Sequence, residues 1–160
     1  MSNSSSEKNS DFLGGWFSSG EIFLRRSDRV RFENVFLDVV QKRRHLALFS
    51  DSDGVVDHYG KMLLNRLRTD SRVTVEVYFP ASIESLLIRF NELVATLSIE
   101  EARSEPNLNS PGRIMFVNDA KAIDVNEWTL LAQLVNDFPG LDIRIVVLLD
   151  KLTTQPEKLT

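Results

Sequence analysis

The chain has 160 residues, 42% of them hydrophobic, a formal charge of −4 from 19 basic and 23 acidic side chains, and no cysteine. That length suits one domain with a sizeable core. The missing thiols exclude a disulfide framework, a cysteine nucleophile and Cys-ligated zinc or iron–sulfur chemistry. Two histidines, His45 and His58, make no His-rich metal site, and the acid excess argues against wholesale coating of nucleic acid. No apolar run approaches the ~18 residues that cross a bilayer, and no basic-then-apolar leader opens the chain. The expectation is a soluble, cytoplasmic protein.

Residues 1–10 carry no apolar side chain after the initial Met, so burial cannot offset their ordering entropy. Phe12, Leu13, Trp16 and Phe17 then surround Gly14–Gly15, a pattern that fits a tail packed on its own domain or a docking peptide. The organisation expected is a flexible tail over 1–20, one α/β domain over 21–152 and a short tail over 153–160.

A helix is predicted from Asp28, with Phe32, Val35, Phe36, Val39 and Val40 on one face of a 3.6-residue period and Lys42-Arg43-Arg44 at its negative end. Leu46 to Phe49 is the continuous apolar run of a strand buried on both faces. A turn from Ser50 to Gly54 leads into a second helix through Tyr59, Met62, Leu63 and Leu67. Val73 to Phe79 reads as a second strand stopped by Pro80, and Ser82 caps a third helix with a stripe from Ile83 to Leu97. Residues 100–111 read as a solvated linker. Ile114 to Val117 is a third strand, a helix runs from about Val125 to Phe138 before Pro139-Gly140, and Ile143 to Leu149, apolar apart from Arg144, is a fourth strand.

Alternating strands and helices imply a three-layer α/β sandwich with a mainly parallel sheet. Ligands of such folds sit beyond the carboxyl ends of the strands, which directs attention to residues 50–61, 80–82, 118–124 and 150–151. The first of these segments keeps Gly54 and Gly60-Lys61, part of what a phosphate loop needs: backbone N–H groups around the phosphates and a lysine to neutralise them. Five residues separate the glycines instead of four, Met62 stands where a hydroxyl would hold magnesium, and Asp51, Asp53 and Asp57 would repel a polyanion.

In order and spacing, residues 20–155 resemble an AAA+ ATPase of the ExeA type, a group associated with secretion and the cell envelope. The resemblance implies a P-loop-NTPase-like fold, here without the fifth strand and helical lid. It aligns Ile114-Met115-Phe116-Val117-Asn118-Asp119-Ala120 with a Walker B motif whose Asp-Glu has become Asn118-Asp119, and places Asp150 and Lys151 where a sensor residue would stand after the fourth strand. The function it implies is that of a catalytically inactive ATPase-like domain, kept as a protein interaction or assembly module in a bacterial secretion or envelope complex. A DNA-linked AAA+ accessory subunit is the alternative setting. No cofactor is expected; ATP with magnesium is what Gly54, Gly60, Lys61, Asn118 and Asp119 would hold if any were bound.

The same loop supports a second reading. Asp51-Ser52-Asp53-Gly54-Val55-Val56 after an apolar strand resembles the first motif of haloacid dehalogenase-type phosphatases, which implies Asp51 as nucleophile and Asp53 as proton shuttle. Ser82 would bind phosphate, and Asp119 with Asp124 would hold magnesium. Against it, residues 62–120 contain no lysine for that family's conserved cation, only arginines such as Arg89 and Arg103. The bland reading makes the aspartates turn formers and helix caps. Finally, Arg25, Arg26, Arg29, Arg31, Lys42, Arg43 and Arg44 are seven of the 19 cations and could grip the phosphates of nucleic acid or an anionic membrane; the bland alternative is a solvated helix face.

Overall fold

The computed structural model describes residues 17–18, 21–79, 82–117 and 120–149. The expectations for residues 1–16, for Pro80, for Asn118 and Asp119, and for everything from Asp150 onward lie outside the described residues, as does the side chain of Asp53. The chain divides into two compact units, Met1–Val35 and Phe36–Thr160.

In the first unit β1 (Phe17–Ser18) pairs antiparallel with β2 (Glu21–Ile22), Phe17 opposite Ile22. These two-residue strands are too short to show a period in the sequence. Phe23 and Phe32 are both buried and meet edge to face, with ring centroids 5.7 Å apart. Helix α1 (Arg26–Val40) starts in this unit and ends in the second. Its first turn includes Asp28, which suits the positive end of the helix dipole.

The second unit is an α/β fold with a four-stranded, all-parallel sheet. After α1 come β3 (Leu46–Phe49), α2 (Asp53–Thr69), β4 (Val73–Tyr78), α3 (Ile83–Ala95), α4 (Ile99–Arg103), β5 (Gly112–Val117), α5 (Val125–Asp137) and β6 (Ile143–Leu149). The strand order is β3-β6-β5-β4. The β3-to-β4 crossover therefore spans the sheet in one direction, and the next two step back. Because crossovers are right-handed, that reversal puts α2 on one face and α3 with α5 on the other.

The side chains agree. Tyr78, Met115, Val117 and Ile143 join Leu86, Phe90 and Leu93 of α3 and Leu131 of α5 in one buried cluster, with Ile145, Val147 and Leu149 against it. Residues alternating with these line the opposite face, where Leu148 meets α2 at Gly60. A Cβ on Gly60 would lie 2.6 Å from Leu148 Cδ1, so this glycine sets how closely the helix approaches the sheet. Its role is packing.

Arg144 is the exception in an otherwise apolar strand, 3% exposed at the centre of the sheet. Its Nη1 donates to the Val39 and Val40 carbonyls at 2.8 Å each, closing the C-terminal turn of α1, and its Nη2 donates to Asp142 Oδ2 at 3.0 Å. Asp142 is one of two described non-glycine residues with positive φ (51°), and the other, Arg43 (57°), brings its own guanidinium to Asp142 at 3.8 Å. Arginine suits this place because one planar fork can serve two carbonyls and a carboxylate together.

Two elements differ from the sequence expectation. The first part of the linker expected over 100–111 belongs to α4, whose Ser98 and Glu101 form a reciprocal capping box. The first strand-to-helix turn is also shorter than predicted, since α2 begins at Asp53 and leaves Ser50, Asp51 and Ser52 as the whole connection.

Candidate functional site at the carboxyl ends of the strands

The short connection decides what the loop after β3 can do. A phosphate cradle needs several residues of loop whose N–H groups converge at a helix N-terminus, with lysine at the helix start. Here three residues join strand and helix. Gly60-Lys61 lies about two turns into α2, so Lys61 starts ~12 Å along the axis from the anion-binding end. Its ammonium pairs instead with Asp57 one turn back, at 3.0 Å on an exposed face. Gly60 faces the sheet, and Gly54 has open space around it. Met62, in the position of the magnesium-binding hydroxyl, is buried in the core. The structure thus separates Gly54, Gly60 and Lys61 rather than gathering them around one point; Asn118 and Asp119 lie outside the described residues.

Of the acidic candidates, Asp51 and Asp124 have described side chains. Asp51 is the second residue after β3 and is exposed. Ser52, N-terminal to α2, makes no side-chain cap; its N–H donates to Ser50 Oγ at 3.2 Å. Ser82 and Asp124 act as helix caps: the Ser85 N–H donates to Ser82 Oγ at 3.1 Å, and the Glu127 N–H donates to Asp124 Oδ1 at 2.8 Å. Both side chains accept from backbone N–H groups. Among the described residues no group of three His, Cys, Asp or Glu side chains converges with room for a metal ion.

Near the same end of the sheet, Tyr78 closes β4 and Glu127 lies in the first turn of α5, each 8% exposed. The Tyr78 hydroxyl and Glu127 Oε2 are buried without a hydrogen-bond partner. Burial first, and the nearby Glu127 charge second, push the Tyr78 phenol above its ordinary value. Sequence reasoning missed this pair. The acid was visible as Asp124-x-x-Glu127, but only the fold brings a strand-terminal tyrosine to it.

Two clefts open toward the start of the strands. One, of about 160 Å³, is lined by Thr74, Glu76, Arg89, Leu93, Arg113 and Ile143; the other, of about 370 Å³, includes Glu101, Ser104, Arg113, Gly140 and Asp142. Arg113 borders both, with Nη2 at 3.3 Å from Thr96 Oγ1 and Nη1 buried and unpartnered. In the first, Arg89 is already engaged: it takes Glu76 in a two-pronged pair at 2.6 and 2.7 Å and Glu92 at 2.8 Å.

The basic cluster divides too. Arg25, Arg26, Arg29 and Arg31 belong to the first unit, and Lys42, Arg43 and Arg44 to the second. Lys42 pairs with Asp38 at 3.0 Å and Arg43 with Asp142, while Arg44 is exposed with no ion-pair partner among the described residues. None of the described helices is long and apolar enough to cross a membrane. Compared with models of protein families, with curated proteins and with solved structures, the chain matches none significantly.

Proposed function

We propose that the chain is an ATPase-like α/β domain that no longer handles nucleotide and acts as a protein interaction module. The observation that carries the reading is the three-residue connection between β3 and α2, with Gly60-Lys61 displaced two turns into the helix. A loop that short has too few N–H groups to surround a triphosphate, and Lys61 is held by Asp57. The parallel sheet and its helical layers persist, and these surfaces are what an assembly partner can use. The setting in this proposal is the one that the resemblance implies, a bacterial secretion or envelope complex.

The test is calorimetric titration of the full chain with ATP and magnesium. The expected result is no saturable binding up to about 1 mM, equivalent to less than about 4 kcal/mol of binding free energy. Saturable binding that Lys61→Ala abolishes would overturn the reading. The phosphatase alternative draws support from one observation, the exposed Asp51 in the connection that follows β3. Turnover of a generic phosphate monoester, lost in Asp51→Asn, would put that activity in place of the module.

A further inference from the structure

We infer that the outer edge of β3 is a self-complementary docking surface and that a second copy of this chain pairs with it antiparallel. Among the described residues β3 ends the sheet, with β6 on its inner side only. Its sequence, Leu46-Ala47-Leu48-Phe49, carries no charge, and on the face shared with Val147 and Leu149 its side chains are open: Ala47 is exposed and Phe49 is 54% exposed. An uncharged strand edge with an exposed aromatic is a template for another strand unless something guards it.

Charge selects the occupant and its direction. Basic residues Lys42-Arg43-Arg44 precede β3, and Asp51 lies just beyond it. Parallel pairing of two copies would set Arg44 beside Arg44 and Asp51 beside Asp51. Antiparallel pairing sets the basic flank of each copy against the acidic flank of the other, twice over. Neither Arg44 nor Asp51 has an ion-pair partner among the described residues, and both are exposed, so each is available to the second copy.

Symmetry fixes the register further. Antiparallel strands in one sheet are related by a two-fold axis perpendicular to it, which keeps each side chain on its own face, so opposed residues must share a face. Pairing Ala47 with Ala47 of the second copy satisfies this. It sets Phe49 opposite His45, Leu46 opposite Leu48, Arg44 opposite Ser50 and Arg43 opposite Asp51. The basic flank of each copy thus runs beside the acidic flank of the other, with Arg44 next to Asp51 rather than directly across from it. The contact is isologous and closes at two copies, doubling the four-stranded sheet. This inference does not depend on the proposed loss of nucleotide handling: the ATP titration probes the loop, and solution mass probes the edge.

A four-residue strand gives a small interface, so the dimer is a weak one and the full chain should be measured by sedimentation equilibrium from about 1 to about 300 µM at low salt. The expected result is a monomer–dimer equilibrium that weakens as salt is added. Phe49→Lys and Arg44→Asp should each raise the dissociation constant about tenfold or more, and the exchanged pair Arg44→Asp/Asp51→Arg should restore it toward the original value. Circular dichroism confirms that each variant is folded. A monomer throughout that range overturns the proposal. So does a dimer indifferent to Phe49→Lys and Arg44→Asp, and so does an exchanged pair that stays monomeric.

Discussion

At one edge of the sheet β4 runs for six residues and places Glu76 on its face, where Arg89 of α3 grips both carboxylate oxygens and also holds Glu92. Just before that strand, Arg72 forks onto Asp70 at 2.9 and 2.7 Å, and this pairing, chiefly through the hydrogen bonds, holds the Asp70 carboxyl below the usual carboxylate range. At the other edge β3 is four residues long and has no charge of its own. The first edge carries charges that an incoming strand would have to desolvate, and the second offers only apolar side chains flanked by opposite charges. Charged side chains and short length are both ways of managing an open edge. Here each is used on a different side, and only the short edge remains able to accept its own kind.

The most severe way to break the comparison is to remove what both edges share. Arg144 lies in β6, between β3 and β5, and ties the sheet to the last turn of α1. Arg144→Met keeps much of the volume and removes the donors. It leaves the Val39 and Val40 carbonyls without their side-chain donor and Asp142, 12% exposed in its side chain, with only the longer contact to Arg43. Breaking a buried ion pair from one side typically costs ~3–5 kcal/mol, and about 3 is expected here because Arg43 remains. Urea unfolding of variant and parent measures it, and Arg144→Met/Asp142→Asn should cost less than the sum of the single changes.

A milder change makes the guarded edge resemble the open one. Arg89→Met removes the cation that Glu76 and Glu92 share, at a site where the arginine and Glu76 side chains are each 39% exposed. Because water screens such pairs, the stability loss should be about 0.5–1 kcal/mol and should shrink in ~1 M salt. The more informative readout is association. If charge is what keeps β4 single, the variant should show concentration-dependent light scattering beyond the dimer limit of the parent at the same ionic strength. An unchanged scattering profile would mean that α3, rather than the ion pair, shields this edge.

How much of this was legible in the sequence depended on whether the cause was local. The strands at 46–49 and 143–149 were readable as continuous apolar runs, but burial on both faces holds better for β6 than for β3, whose Ala47 and Phe49 are exposed because no strand lies beyond them among the described residues; Ser82 announced its helix by position. α4 is equally local: Ser98-x-x-Glu101 is a capping box, but the charges around it fit a solvated linker just as well. Strand order could not be read, because nothing along the chain says that β6 inserts between β3 and β5. The placement of Gly60-Lys61 shows the sharper lesson. A spacing motif counts residues along a line, whereas phosphate binding depends on where the helix begins, and here it begins at Asp53, well before the lysine. Arg144 was visible as a lone charge in a buried strand, a signal of a tied guanidinium whose partners only the fold could supply.

The smallest expected effect concerns His45, the residue that leads into the open edge. The Ile145 N–H of β6 donates to its Nδ1 at 2.9 Å, so the ring must be neutral on that nitrogen to accept. Burial lowers the pKa of His45 from its ordinary value. In the unfolded chain the imidazole regains that value and takes up a proton as the pH falls through ~6.5. The folded state binds fewer protons over the same window, so stability is fully present above the unfolded value and declines as the pH drops toward the lower folded one. Urea midpoints from about pH 7.5 to 5.5 should therefore fall more steeply for the parent chain than for His45→Asn, whose side-chain carbonyl can still accept from Ile145 but does not titrate. Keeping the window above pH 5.5 leaves out the acid-side loss expected from Asp70, whose lowered value works in the same direction but further down the scale. Parallel curves for the two proteins would show that the ring's hydrogen bond to β6 does not govern the titration, and that the short edge is held by its backbone ladder and apolar contacts with β6.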